Sequence, residues 1–192
     1  MTNNKVVLNI TVVDALEVIA NTIWTSALLL SFTLYVLNEG EIVWGQINAT
    51  YFAGSIIGGL ILVAFFKNKD FDVFNLIIIS GYVMGILTFA MTFSASIFIS
   101  LIASFLMGPI YQIRSIYQIT ALQSYTNDDN RSSIFSARSA ILTLWSGIAV
   151  MLMGFLADIL GISIVYIISG CIYNQFVISL YIYKKSRKIE FT

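Results

Sequence analysis

The chain has 192 residues, 58% of them hydrophobic and 10% charged, with a mean hydropathy of +0.89. Soluble domains carry about 45–50% apolar and about 25% charged residues, so this chain has too little polar surface for a water-facing globule, and its place is a lipid bilayer. Histidine is absent, Cys171 is the one cysteine, and ten basic residues balance ten acidic ones. This composition argues against an internal disulfide, zinc, haem, a His-dependent catalytic site and a nucleic-acid footprint built on bulk charge, and no metal or other cofactor is expected.

Runs without a charged residue cover 18–38, 42–66, 73–113, 139–157 and 159–183. At about 1.5 Å rise per residue and about 30 Å of hydrocarbon, each shorter run crosses once and 73–113 crosses twice. The small polar cluster Thr92, Ser94 and Ser96 marks the turn inside it. The pattern predicts an all-α polytopic membrane protein, a single domain over 1–192 with six transmembrane helices near 10–37, 43–66, 73–92, 95–118, 134–157 and 159–183. The runs are far longer and more evenly apolar than the alternating segments of about ten residues in a β-barrel.

The first predicted span carries Asp14 and Glu17, three apart and so on one helix face. They interrupt any signal-peptide core and no Ala-x-Ala site follows, so this span is expected to stay in the mature protein. Carboxylates at membrane depth are costly and commonly face a cavity or an ion path, which makes both candidates for proton coupling. Alternatively, the helix starts near Thr11 and both acids sit in its first two turns, favoured by the helix dipole.

In the second and third spans, Gly54-x-x-x-Gly58 and Gly81-x-x-x-Gly85 allow close helix packing. Arg114, ending the fourth span, and Arg138, opening the fifth, either pair with the acids or a substrate, or snorkel to the interface. Gln112, Gln118 and Gln123 suggest that the fourth helix protrudes before a solvated loop over 126–133, where Ser132 or Ser133 would cap the next helix. Trp24, Tyr51 and Trp145, with Tyr35 and Tyr82, are candidate cavity aromatics, and Trp44 resembles an interface anchor. There is no G-x-x-x-x-G-K-[ST] loop for direct use of ATP, and no pair of residues suggests an enzyme.

Six spans put both termini on one side with all ten basic residues: Lys5, Lys67, Lys69, Arg114, Arg131, Arg138, Lys184, Lys185, Arg187 and Lys188. The opposite connections hold Glu39, Glu41 and Asp158 and no Lys or Arg. The positive-inside rule then makes both termini cytoplasmic in a cell membrane.

The run Val13-Asp14-Ala15-Leu16-Glu17, then Ile23-Trp24, then Gly40-Glu41-Ile42-Val43-Trp44-Gly45-Gln46-Ile47-Asn48 leading into Gly54-Ser55-Ile56-Ile57-Gly58-Gly59 resembles helices seven and eight of major facilitator superfamily transporters. The likeness is to the drug-efflux branch that includes macrolide exporters. Gly154-Phe155-Leu156-Ala157-Asp158-Ile159-Leu160-Gly161 resembles that branch's junction between helices eleven and twelve, and Arg131-Ser132-Ser133-Ile134-Phe135-Ser136 its entry to helix eleven. The resemblance runs through nearly the whole chain and matches the C-terminal half of the family's twelve helices. The connection 67–72 lacks the glycines and arginines of the family's Gly-x-x-x-Asp-Arg-x-Gly-Arg-Arg signature, which belongs to the first half.

The resemblance implies a half-transporter for proton-coupled efflux of apolar or amphipathic small molecules, an antiporter. Its partners would be the lipid bilayer, a small-molecule substrate, and either a separately encoded N-terminal half or a second copy in a homodimer. One half supplies one wall of the cavity. A non-transporting scaffold or regulatory subunit, or an inactive remnant of a transporter, is the competing expectation.

Overall fold

Inside hydrocarbon every backbone N–H and C=O must be satisfied within its own segment, and long apolar runs achieve this as helices. The computed structural model describes residues 5–66, 73–124, 126 and 128–187. It is an all-α polytopic membrane protein, with no strand among the described residues. The helices are α1 (Lys5–Asn21), α2 (Ser26–Tyr35), α3 (Glu41–Ile61), α4 (Val73–Ser94), α5 (Ile97–Ser124), α6 (Asp128–Leu160) and α7 (Ile162–Arg187). By length and composition four stretches can cross a bilayer: Glu41–Ala64, Asn75–Ser94, Ile97–Ser124 and Arg131–Leu160. Asp14–Trp24 with Ala27–Tyr35, bent by 45°, makes a fifth, and Ile162–Gln175 is a shorter apolar helix.

The first predicted span is therefore two helices. A 3-10 turn over Thr22–Trp24 breaks it, without proline or glycine. Thr22 Oγ1 donates to the Ile19 carbonyl at 2.7 Å and Thr25 Oγ1 to the Thr22 carbonyl at 2.6 Å. Such back-bonding by hydroxyls competes with the helical ladder and bends it. Tyr166 of α7 reaches into the break, its hydroxyl donating to the Ile23 carbonyl at 3.0 Å and its ring stacking on Phe32 of α2 at 4.3 Å.

α3 runs on into a π-helical turn over Leu62–Phe66. α4 ends at the polar cluster, where Ala95 takes a positive φ of 45°. α6 begins at Asp128, which corrects two expectations: Ser132 and Ser133 lie inside the helix and cap nothing, and the loop before it is short. Thr126 is buried, and Arg131 Nη2 donates to the carbonyls of Gln123 (3.3 Å) and Thr126 (3.5 Å), closing the end of α5. The connection 67–72, with Lys67 and Lys69, and Lys188 in the tail lie outside the described residues.

α3 lies along α5, α4 along α7, and α1 is held by α5, α6 and α7. At the α3–α5 crossing a Cβ on Gly54 would fall on the Phe105 carbonyl oxygen, and one on Gly58 on the backbone of Pro109. Pro109 has no N–H, which frees the carbonyl four residues before it, and that carbonyl belongs to Phe105. A glycine opposite is what admits the freed oxygen. Gly85 on α4 faces the Asn174 side chain of α7, and Gly81 is buried. The outer faces of α3 (Ile42, Phe52, Ile56, Leu60) and α6 (Leu144, Met151, Phe155, Ile159) are exposed and apolar, suited to lipid or another apolar surface.

Candidate functional site

Because α1 starts at Lys5, Asp14 and Glu17 lie well past its first two turns. The reading in which the helix dipole accounts for both acids is thus corrected. Both are buried, at 9% and 6% exposure, and each is paired with an arginine from another helix. Arg138 of α6 pairs with Asp14, and Arg114 of α5 with Glu17. Snorkelling is corrected for Arg114, which is 3% exposed; Arg138 keeps its head on Asp14. Two carboxylates and two guanidiniums form a set with no net charge, the condition under which ions persist away from water.

Polar neighbours complete the set. Gln118 Nε2 donates to Asp14 Oδ1, and Asn21 Nδ2 to Glu17 Oε1 at 3.3 Å. The Tyr173 hydroxyl donates to Asn21 Oδ1 at 2.5 Å. Arg114 also reaches Ser80 Oγ at 3.5 Å and stands 5.2 Å from the centre of the Tyr111 ring. Each pairing follows helical spacing: Glu17 and Asn21 are four apart on α1, Arg114 and Gln118 four apart on α5.

This set lines a cavity of about 230 Å³ that includes Asp14, Glu17, Asn21, Arg114, Gln118 and Arg138. A second cavity of about 310 Å³ adjoins it, bounded by Trp24, Ile47, Asn48, Tyr51, Phe52 and Met107 among others. Asn21 and Tyr111 line both. Trp24 and Tyr51 stack at 6.1 Å with a 21° angle between their planes, so two of the three candidate aromatics meet in one wall. Trp145 does not line that cavity; its indole N–H donates to the Ala15 carbonyl at 2.6 Å, between the two acids on α1. Tyr35 and Tyr82 are exposed and also stand outside it. Trp44 is half-buried and packs on the core that contains Val43 and Ile47.

Sequence reasoning brought out the four ions and missed Asn21, Tyr111 and Tyr173; Gln118, expected on a protruding helix end, is instead buried on Asp14. For the two amides the signal was spacing: Asn21 and Gln118 each stand four residues beyond an ionisable group, Glu17 and Arg114, and share its face.

No protein-family model matches the chain, and no solved structure matches it. It is 41% identical over 168 residues to the uncharacterized MFS-type transporter YjbB of Bacillus subtilis (strain 168), and 32% identical over 168 residues to the uncharacterized MFS-type transporter YfmI of the same organism. Each alignment covers 88% of this chain but 42% and 41% of the relative, so the chain spans about two fifths of the length of the curated relatives it matches. These homologues, with the apolar helices, support a multi-pass membrane protein.

Proposed function

We propose that the chain forms one six-helix wall of a major-facilitator-type transporter, corresponding to the C-terminal half, and that it moves apolar or amphipathic small molecules outward in exchange for protons. What carries the reading is the neutral set of Asp14, Glu17, Arg114 and Arg138 beside a cavity walled by Trp24 and Tyr51. Ionisable groups are retained at membrane depth where they serve a path, and an aromatic cavity suits a flat apolar solute. Transporters of this type place the substrate between two halves. The second wall would come from six further helices, on this chain's own continuation or on another, against the exposed apolar faces of α3 and α6. In this reading α1 with α2 is one span, α7 is the sixth, and both termini are cytoplasmic in the cell membrane.

The test replaces the matching segment of YjbB with this chain and follows a lipophilic dye in proteoliposomes under an imposed proton gradient. Gradient-driven dye movement is expected, and the double variant Asp14→Asn, Glu17→Gln should abolish it while dye binding persists. Full gradient-driven movement by the double variant would remove these acids from coupling. A reporter active only in the cytoplasm should work after Thr192 and be silent near Gly40; the reverse overturns the orientation.

A further inference from the structure

A cavity at membrane depth selects by the groups it leaves unspent. Among the described residues that line the larger cavity none is charged. The acids beyond it are already spent, Glu17 on Arg114 and Asn21, and Asp14 on Arg138 and Gln118. A charged solute brought in from water would lose its hydration and meet no counter-ion, the cost that keeps unpaired charge out of apolar surroundings. Most polar groups of the lining are spent as well. Asn21 uses its amide on Glu17 and Tyr173, Thr25 its hydroxyl on the Thr22 carbonyl, and Asn48 its Nδ2 on the Trp44 carbonyl at 2.9 Å. The indole N–H of Trp24 is different: it is shielded from water and has no acceptor among the described residues. An indole N–H only donates, so what completes it is an acceptor, whereas the phenol of Tyr111 in the same wall takes either kind of partner. A donor left buried and unpaired carries the full cost of its lost water, and a solute that supplies the acceptor recovers it.

We propose that the cavity takes an uncharged, flat solute that presents a hydrogen-bond acceptor to Trp24 Nε1, and that Trp24 is the residue that sets this preference. The rings of Trp24 and Tyr51, 21° apart in plane, supply a surface for a flat solute, and Met84 and Met107 add polarizable side chains that adapt to its outline. At about 310 Å³ the cavity stands at the lower end of ligand sites, which suits a compact solute of a few fused rings. Aromatic faces also attract cations, so a charged probe decides between the two. The inference rests on the transport reading for the cavity's role and names the class of solute; the binding preference itself stands without transport.

The experiment titrates the purified full chain in nonionic detergent with three fluorescent tricyclic dyes of one shape, followed by fluorescence polarisation and corrected for each dye's partition into empty micelles. Acridone is uncharged with a carbonyl acceptor, anthracene is uncharged without one, and 10-methylacridinium is a permanent cation. Acridone is expected to bind roughly tenfold tighter than anthracene, the effect of one hydrogen bond to an otherwise unpaired donor, and tighter than 10-methylacridinium by at least as much. Trp24→Phe keeps a ring and removes the N–H, so it should weaken acridone by roughly that tenfold and shift anthracene far less, with circular dichroism melting to establish that it is folded. The comparison of dyes on the unmodified chain keeps the inference testable without the variant. Equal affinity for acridone and anthracene overturns it, as does an equal loss of both in folded Trp24→Phe, because the indole then acts by its ring alone. Tighter binding of 10-methylacridinium overturns it and leaves the cavity standing. Binding of no dye overturns both this inference and the transport reading, whereas selective acridone binding without gradient-driven movement upholds this inference and removes the transport reading.

Discussion

α5 is held on two sides by opposite chemistry. Toward α3 it offers Gly108 and the freed carbonyl of Phe105 to Gly54, and the backbone of Pro109 to Gly58, a close contact without charge. Toward α1 it offers Arg114 and Gln118, which reach two buried carboxylates. A contact of small residues has no chemical state to change and fixes α3 and α5 as a unit whatever the pH. The contact with α1 is made of charged and polar groups, each of which depends on its partner. The difference teaches what each contact answers to: α3 with α5 depends on volume, and α5 with α1 on the matching of charge.

Breaking the charged side has the largest expected effect. Arg114→Met leaves Glu17 ionised and buried without its counter-ion, and removal of one partner of a buried pair costs about 3–5 kcal/mol. Titration from mild into denaturing detergent should show that loss, and Glu17→Gln in the same background should recover most of it. A double variant as unstable as the single one would mean that Arg114 stabilises by packing rather than by charge.

The uncharged side is expected to respond to volume. Gly58→Val places side-chain atoms on the backbone of Pro109, and overpacking of this kind costs about 1–3 kcal/mol. Gly59, its neighbour, has nothing within 4 Å of a Cβ, so Gly59→Ala should stay within about 0.5 kcal/mol. The pair of variants, compared in one detergent titration, asks whether α3 meets α5 on the face of Gly54 and Gly58 rather than that of Gly59; equal losses would mean that the helix face has been assigned wrongly.

The two sides were not equally legible in the sequence. Gly54-x-x-x-Gly58 pointed to close packing, and the carrier of its partner atom, Pro109, stands in plain view; what the sequence lacked was which helix lies opposite. The four ions were legible because charge is rare in these runs, and their helical spacing put Asp14 and Glu17 on one face. Their pairing was not, since Glu17 and Arg114 are 97 residues apart and Asp14 and Arg138 are 124 apart. The break at Thr22–Trp24 escaped because threonines are ordinary within an apolar run, and only the hydroxyl-to-carbonyl bonds of Thr22 and Thr25 show what they do there. Helix ends at 128 and 124 moved beyond the expected ones because Arg131 folds back on the carbonyls that end α5, so the polar run is mostly helix.

The smallest effect separates the ions from the scaffold that carries them. Trp145 of α6 donates its indole N–H to the carbonyl of Ala15, the residue between the two acids in which both charged sides meet α1. That carbonyl also has its place in the helical ladder of α1, and a carbonyl oxygen carries two lone pairs, so taking the indole away leaves no orphaned acceptor. Trp145→Phe keeps the apolar ring against α1 and removes only the donor. Interhelical hydrogen bonds in membranes average about 0.6 kcal/mol, and a loss of that size is expected in the same detergent titration. Dye binding should be unchanged, because Trp145 does not line the cavity walled by Trp24 and Tyr51. If Trp145→Phe removes dye binding while the fold persists, α6 sets the register of α1 through this bond, and the cavity depends on the α1–α6 contact as well as on its own lining.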